Sequence, residues 1–222
     1  MKAGDVASHG PGGGLERGFV DEAIAEEFPG LGLSWARVER GSGRSNRALR
    51  ERLAILSNRF AGPQAIELRQ RPIPWAYRVF FRHIGLDPDT QRTPVEALAL
   101  ERLQKGGFLS LSLLDDALTI AIMESGVALV AFDADRVRPP LGIRPSRPGE
   151  ALDGRPGALP DGTLVVADAL EPVSLLFGAV GSGRGVTRRT SRMVIAAIQV
   201  AGVPDIAVEE ALWLCLEALD SS

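Results

Sequence analysis

The spacing of apolar residues changes character near the middle of the chain. Leu31, Leu33 and Trp35 alternate after the Pro29-Gly30 turn, which predicts a short strand. From Asn46 the spacing becomes helical, with Leu49, Leu53, Leu56 and Phe60 on one face. A second helix is predicted from Trp75 to Ile84, stopped by Gly85, with Trp75 assigned to the core. Thr93-Pro94-Val95-Glu96 reads as a capping box with proline at the first helical position. Val95, Leu98 and Leu103 supply that helix's apolar stripe, and Gly106-Gly107 ends it. A further helix is predicted from Ser112 to Glu124 on Leu114, Leu118, Ala121 and Ile122.

Beyond Gly126 the pattern shortens to runs that predict strands at Val127–Phe132, Gly162–Val166, Val173–Phe177 and Met193–Val200. A closing helix from Ala207 to Leu219 turns Val208, Leu212, Cys215 and Leu219 inward. The Pro- and Gly-rich stretch from Pro139 to Gly162 reads as connecting turns. Residues 1–18, Gly-rich and polar, read as a disordered tail, and residues 19–222 as one domain. Helices first, then strands, then a closing helix define an α+β class in a single compact domain.

Composition narrows the setting. No apolar run approaches the roughly 18 residues of a membrane helix, and Met1-Lys2 leads into a polar stretch rather than a secretory signal. The one cysteine, Cys215, excludes an internal disulfide and fits a reducing compartment, so a cytoplasmic protein with no membrane partner is expected. Net charge is -3, yet the charges are segregated. No acidic residue lies between Pro172 and Pro204, where Arg184, Arg188, Arg189 and Arg192 stand, nor between Leu68 and Leu86, which carries Arg69, Arg71, Arg78 and Arg82. Segregation of this kind builds local anion-attracting surface on an acidic protein.

Candidate chemistry is sparse. The histidines are His9 in the tail and His83 at a helix end, and Cys215 sits on a buried stripe, so no nucleophile–base pair suggests itself. Histidine and cysteine are too few for a zinc site, and no metal or cofactor is expected. Asp115 and Asp116 point about 100° apart on a helix and cannot share one site, leaving Asp116 as a pocket acid or as a loop anchor. Gly181-Ser182-Gly183-Arg184-Gly185 can cradle a phosphate through its amides or simply turn a hairpin. Trp75, Tyr77 and Phe177 are the nearby aromatics able to stack a base, with Trp75 and Phe177 otherwise assigned to the core.

Several landmarks occur in a familiar order: Phe28-Pro29-Gly30-Leu31, Trp75-Ala76-Tyr77-Arg78, Arg92-Thr93-Pro94-Val95-Glu96, Ala131-Phe132-Asp133, Leu164-Val165-Val166-Ala167-Asp168, and Thr187 to Val194. In that series the chain resembles the B3/B4 module of the phenylalanyl-tRNA synthetase beta subunit, and more closely free-standing homologues of it. The resemblance implies a β-sandwich-like sheet core with flanking helices. It also implies a pocket for an aminoacyl-adenosine end and a surface for tRNA, because in the synthetases the module hydrolyses mischarged tyrosyl-tRNA. Aminoacylation itself is not expected of a chain with no room for a catalytic core.

Carried over position by position, the resemblance implies a ligand pocket at Asp116, Thr119, Val130, Gly178, Gly181 and Ala196. A histidine and a glutamate of the family are replaced by Val130 and Ala196, and Thr119 stands where asparagine is common. Arg184, Arg188, Arg189 and Arg192 are the implied nucleic-acid-binding residues. Two readings follow: a trans-acting aminoacyl-tRNA deacylase, or a non-catalytic module that binds tRNA or a small amino-acid-like ligand. No residue is assigned a catalytic role.

Overall fold

The computed structural model describes residues 14–60 and 62–221. In chain order its first half runs β1 (Glu16–Arg17), β2 (Phe19–Val20), α1 (Glu22–Glu27), β3 (Gly32–Val38), α2 (Arg47–Arg59), α3 (Gly62–Leu68), α4 (Pro72–His83), α5 (Pro94–Lys105) and α6 (Leu113–Ser125). The second half adds β4 (Ala128–Asp133), β5 (Gly142–Pro145), β6 (Leu164–Ala167), β7 (Pro172–Leu175), β8 (Met193–Gln199) and α7 (Asp205–Asp220). The fold class is α+β in one domain built on two four-stranded sheets, ordered β1-β3-β8-β4 and β2-β5-β6-β7. The first sheet is wholly antiparallel; in the second only β2 and β5 run parallel.

Strand β8 is the centre of the molecule. From Met193 to Ile198 every residue is essentially inaccessible to solvent, so both faces of its sheet are covered. Its alternation assigns the two coverings. Gln199 reaches α7 through bonds to the Val203 carbonyl at 2.9 Å and Asp205 at 2.7 Å. Ile195 and Ala197 share that helix side, where α6 and α7 pack against each other. Ala196 and Ile198 therefore turn the other way, toward the second sheet. In that sheet Val166 belongs to the main core, while Val165 and Ala167 join Leu152 and Leu159 in a small cluster on its outer side.

The chain crosses between the sheets at Gly18. A Cβ there would sit 2.6 Å from the Leu141 carbonyl oxygen, closer than side chains tolerate, and tightly at 3.1 Å from Leu33. This crossing corrects the expected tail: residues 14–18 are ordered, and Glu16 and Arg17 pair with Trp35 and Ser34. A two-residue strand carries no alternation, so its pairing cannot be read along the chain. The remainder of the expected tail, residues 1–13, lies outside the described residues.

The stretch Pro139 to Gly162 is corrected too, since it contains β5, an inner strand of the second sheet. Its prolines hid the strand signal, but Pro145 lies at the strand's end, where proline is tolerated. The capping box forms as expected at Thr93 and Glu96. Helix α5 nevertheless buries Val95 and Ala99, leaving Leu103 41% exposed, so the predicted stripe is shifted.

Tyr77 of α4 stitches that helix to the first sheet. Its buried hydroxyl donates to the Ile198 carbonyl at 2.5 Å and accepts from the Ala128 amide at 3.1 Å, across a register pair of β4 and β8. Burial accordingly pushes its phenol pKa well above the ordinary value. Tyr77→Phe should cost about 1–3 kcal/mol in urea denaturation, because a buried N–H and C=O lose their partner together. A cost below a few tenths would mean that the strand ends re-pair without it.

Candidate functional site

Two of the six carried-over positions, Val130 and Ala196, are 66 residues apart in sequence. They are direct cross-strand partners on β4 and β8, and Trp35 on β3 stands opposite Ala196 from the other side. The row Trp35–Ala196–Val130 thus runs across three strands on the face turned to the second sheet. Trp35 and Ala196 are closed to solvent and Val130 is half-buried. Chemically the row offers indole, methyl and isopropyl groups, of which only the Val130 isopropyl keeps appreciable access to solvent.

The other pocket positions do not converge on this row. Asp116 is buried and fully engaged, accepting from the Ser45 hydroxyl at 2.5 Å, the Ser110 hydroxyl at 2.6 Å and the Leu111 amide at 3.2 Å. It fastens the segments before α2 and α6, the anchoring role open to it from sequence. Thr119 lines a cavity of about 340 Å³ between α5 and α6, together with Asp115 and Leu98. Gly178 lines a different cleft of about 610 Å³, whose walls include Phe28, Phe81, His83, Arg92 and Phe177. Gly181 is buried in the turn after β7, its amide bonded to the Val173 carbonyl at 2.9 Å.

The glycine-rich turn does bind an anion, but an internal one. The amides of Ser182 and Gly183 reach the Asp153 carbonyl oxygen and carboxylate at 2.9 and 2.8 Å, and the Arg184 amide closes on the Gly181 carbonyl. These donors are taken, so the phosphate cradle considered from sequence is replaced by a tied hairpin.

The four arginines separate in the same way. Arg184 is 16% exposed at its side chain and pairs with Glu171 and with Asp168 at 3.5 Å, besides donating to the Arg136 carbonyl. It braces the turn against the second sheet. Arg192 is exposed but paired with Asp135. Arg188 and Arg189 are exposed and form no ion pair among the described residues. The loop presenting them is held firmly at its base. Thr190 donates to the Asp133 carboxylate at 2.6 Å, and the Asp133 and Ala134 amides reach the Arg184 and Arg192 carbonyls at 2.9 and 3.0 Å.

One group had no signal in the sequence. The Ser174 hydroxyl on β7 is buried and, among the described residues, has no hydrogen-bond partner. Ser174 pairs with Val166, so it lies on the inner face of the second sheet, the face turned toward the apolar row. A lone serine in an apolar strand looks like an ordinary strand residue until its neighbours are known.

With this geometry the chain can be placed. The model of the B3/4 domain matches residues 76–210, and the chain belongs to that family. Among curated proteins it is similar to the phenylalanine–tRNA ligase beta subunit of Xylella fastidiosa strain 9a5c, 36% identical over 127 residues. The match covers 56% of this chain and 15% of that subunit. The beta subunit of Xanthomonas campestris pv. campestris strain 8004 is 38% identical over 114 residues, covering 50% and 14% respectively. The matched region is therefore a small fraction of the curated relatives. No described helix is long and apolar enough to cross a membrane.

Proposed function

We propose that this chain is a tRNA-binding module that receives an aminoacylated acceptor end without hydrolysing it. The observation that carries the reading is the firmly based loop that holds Arg188 and Arg189 exposed, and without an ion pair among the described residues, at the Asp133–Met193 end of the first sheet. Similarity to phenylalanine–tRNA ligase beta subunits supports tRNA as the partner. The apolar character of half-buried Val130, beside Ala196 and Trp35, supports a side chain without a hydroxyl as the bound group. Hydrolysis is the less favoured reading because the row carries no acid or base, while Asp116 is committed to its own loops.

The Arg188→Ala/Arg189→Ala protein leaves the braces at Arg184 and Arg192 intact and tests the loop alone. Each lost phosphate contact should flatten the log–log dependence of tRNA affinity on salt by about 0.7–0.9, so the double variant should lose about 1.5. An unchanged slope and affinity would remove the loop from the interface. Assaying the wild-type protein against a panel of mischarged tRNAs separates binding from editing, and accelerated deacylation of any of them would establish the hydrolytic reading instead.

A further inference from the structure

Helix α4 has two faces of opposite character. Ala76, Tyr77, Phe80 and Phe81 are buried. Arg71 at its N-cap, Trp75, Val79, Arg82 and His83 recur at helical spacing on the outer side, where all but the half-buried Val79 are exposed. Trp75, assigned to the core from sequence, is 49% exposed. The Arg82 guanidinium lies 5.7 Å from its ring centroid, within cation–π range. Neither Arg71 nor Arg82 forms an ion pair among the described residues, and the chain from Leu68 to Leu86 contains no acid.

We propose that this face of α4 is a contact site for single-stranded nucleic acid, with Trp75 stacking a base and Arg71 and Arg82 meeting the neighbouring phosphates. The pairing of an exposed indole with unpaired arginines selects this partner. A base presents an aromatic face and its phosphates present charge, so both kinds of side chain are used at once. An acidic peptide would satisfy the arginines and leave the indole idle. Stacking also needs little rearrangement, because the guanidinium already over the ring can pass to an adjacent phosphate when a base takes its place.

The site is distinct from the Arg188–Arg189 loop and does not rest on it. Tyr77 anchors α4 at the Ala128–Ile198 end of the first sheet, whereas the loop is tied to the Asp133–Met193 end. Five strand steps, about 17 Å, separate those two anchor points.

The test uses short fluorescein-labelled oligouridine and oligoadenine with the full chain, read by anisotropy and by tryptophan fluorescence. Trp75 is the accessible reporter, since Trp35 is 2% exposed and Trp213 half-buried. Wild-type tryptophan emission should be quenched on binding. Trp75→Ala should weaken affinity roughly five- to hundredfold with the salt slope unchanged, and Trp75→Phe should restore most of it. Arg82→Ala should flatten the slope by about 0.7. The Arg188→Ala/Arg189→Ala protein should keep the tryptophan quench. Wild-type affinity in Trp75→Ala overturns the proposal, as does tighter binding of a polyglutamate peptide than of the oligonucleotides. Loss of all binding in the loop variant, with no quench in wild type, overturns it and leaves the loop reading standing; a quench with an unaffected loop variant does the reverse.

Discussion

Arg78→Met should lower the unfolding free energy by about 3 kcal/mol. Arg78 and Glu96 are about 5% exposed and meet at 2.7 Å, joining α4 to α5. Arg78 also holds Asp89 at 2.8 Å, and that hydrogen bond keeps the Asp89 carboxyl below its usual range. Breaking a buried pair by removing one partner costs roughly 3–5 kcal/mol, because a charge is left buried and uncompensated. The low end applies here because Arg69 remains 3.1 Å from Glu96 and the Thr93 hydroxyl still donates to it at 2.9 Å. For a domain of this size the fall in Tm should be about 6–12 °C.

Cys215 provides an independent readout of the same event. It is wholly buried, and burial pushes its thiol up to about 12, so it should resist thiol reagents in the native state. The Arg78→Met protein should label roughly a hundredfold faster, since each 1.4 kcal/mol of lost stability raises the open population about tenfold, provided that labelling proceeds through global opening. Adding Glu96→Met should recover part of the loss, since it removes the stranded charge. A single variant within 1 kcal/mol of wild type would mean that water reaches Glu96.

The second large effect is expected at Ala196. It lies between Trp35 and Val130 in the register of the first sheet and has no solvent exposure. Ala196→Glu, which places a carboxylate where the resemblance drawn from sequence implies one, should destabilise the protein by several kcal/mol at neutral pH. Overpacking contributes roughly 1–3 kcal/mol of this at any pH, and the rest is the cost of burying an unpaired charge.

The sign of the pH dependence follows from that charge. Burial raises the folded carboxyl's pKa above the unfolded value of about 4.3. The charge penalty is then absent below the unfolded value and grows as pH rises through the folded one. The gap between wild type and variant should therefore narrow on acidification, as measured by urea unfolding across that range. A variant as stable as wild type at neutral pH would show that the row opens to water. It would then be the right background for asking whether a carboxylate at 196 restores selection of tyrosyl over phenylalanyl groups, a preference not expected of the wild-type row.

Several elements were legible along the chain because their causes are local. The capping box at Thr93 and Glu96 is a contact between residues three apart, and the α2 stripe of Leu49, Leu53 and Leu56 needs only helical spacing. The juxtaposition of Val130 with Ala196 was also reachable, through resemblance rather than periodicity, and the strand register places them side by side.

What tertiary structure decided is which partner each polar or aromatic group finds. Arg184 and Arg188 look alike in an acid-free stretch, yet Asp168 and Glu171 reach Arg184, while Arg188 forms no ion pair among the described residues. Asp116 became an anchor because Ser45, 71 positions earlier, folds onto it. Trp75 reads as core by its neighbours, but the buried set of α4 is taken by Tyr77, Phe80 and Phe81, and one helix cannot turn every bulky residue inward. The sequence by itself determined the class of fold, most of its helices and the apolar character of Val130 and Ala196, since these depend on spacing and side-chain type. The exposure of Arg188 and Arg189, the burial of the Ser174 hydroxyl and the outward indole were decided by packing, because satisfaction and exposure are properties of neighbours that the chain brings together only when folded.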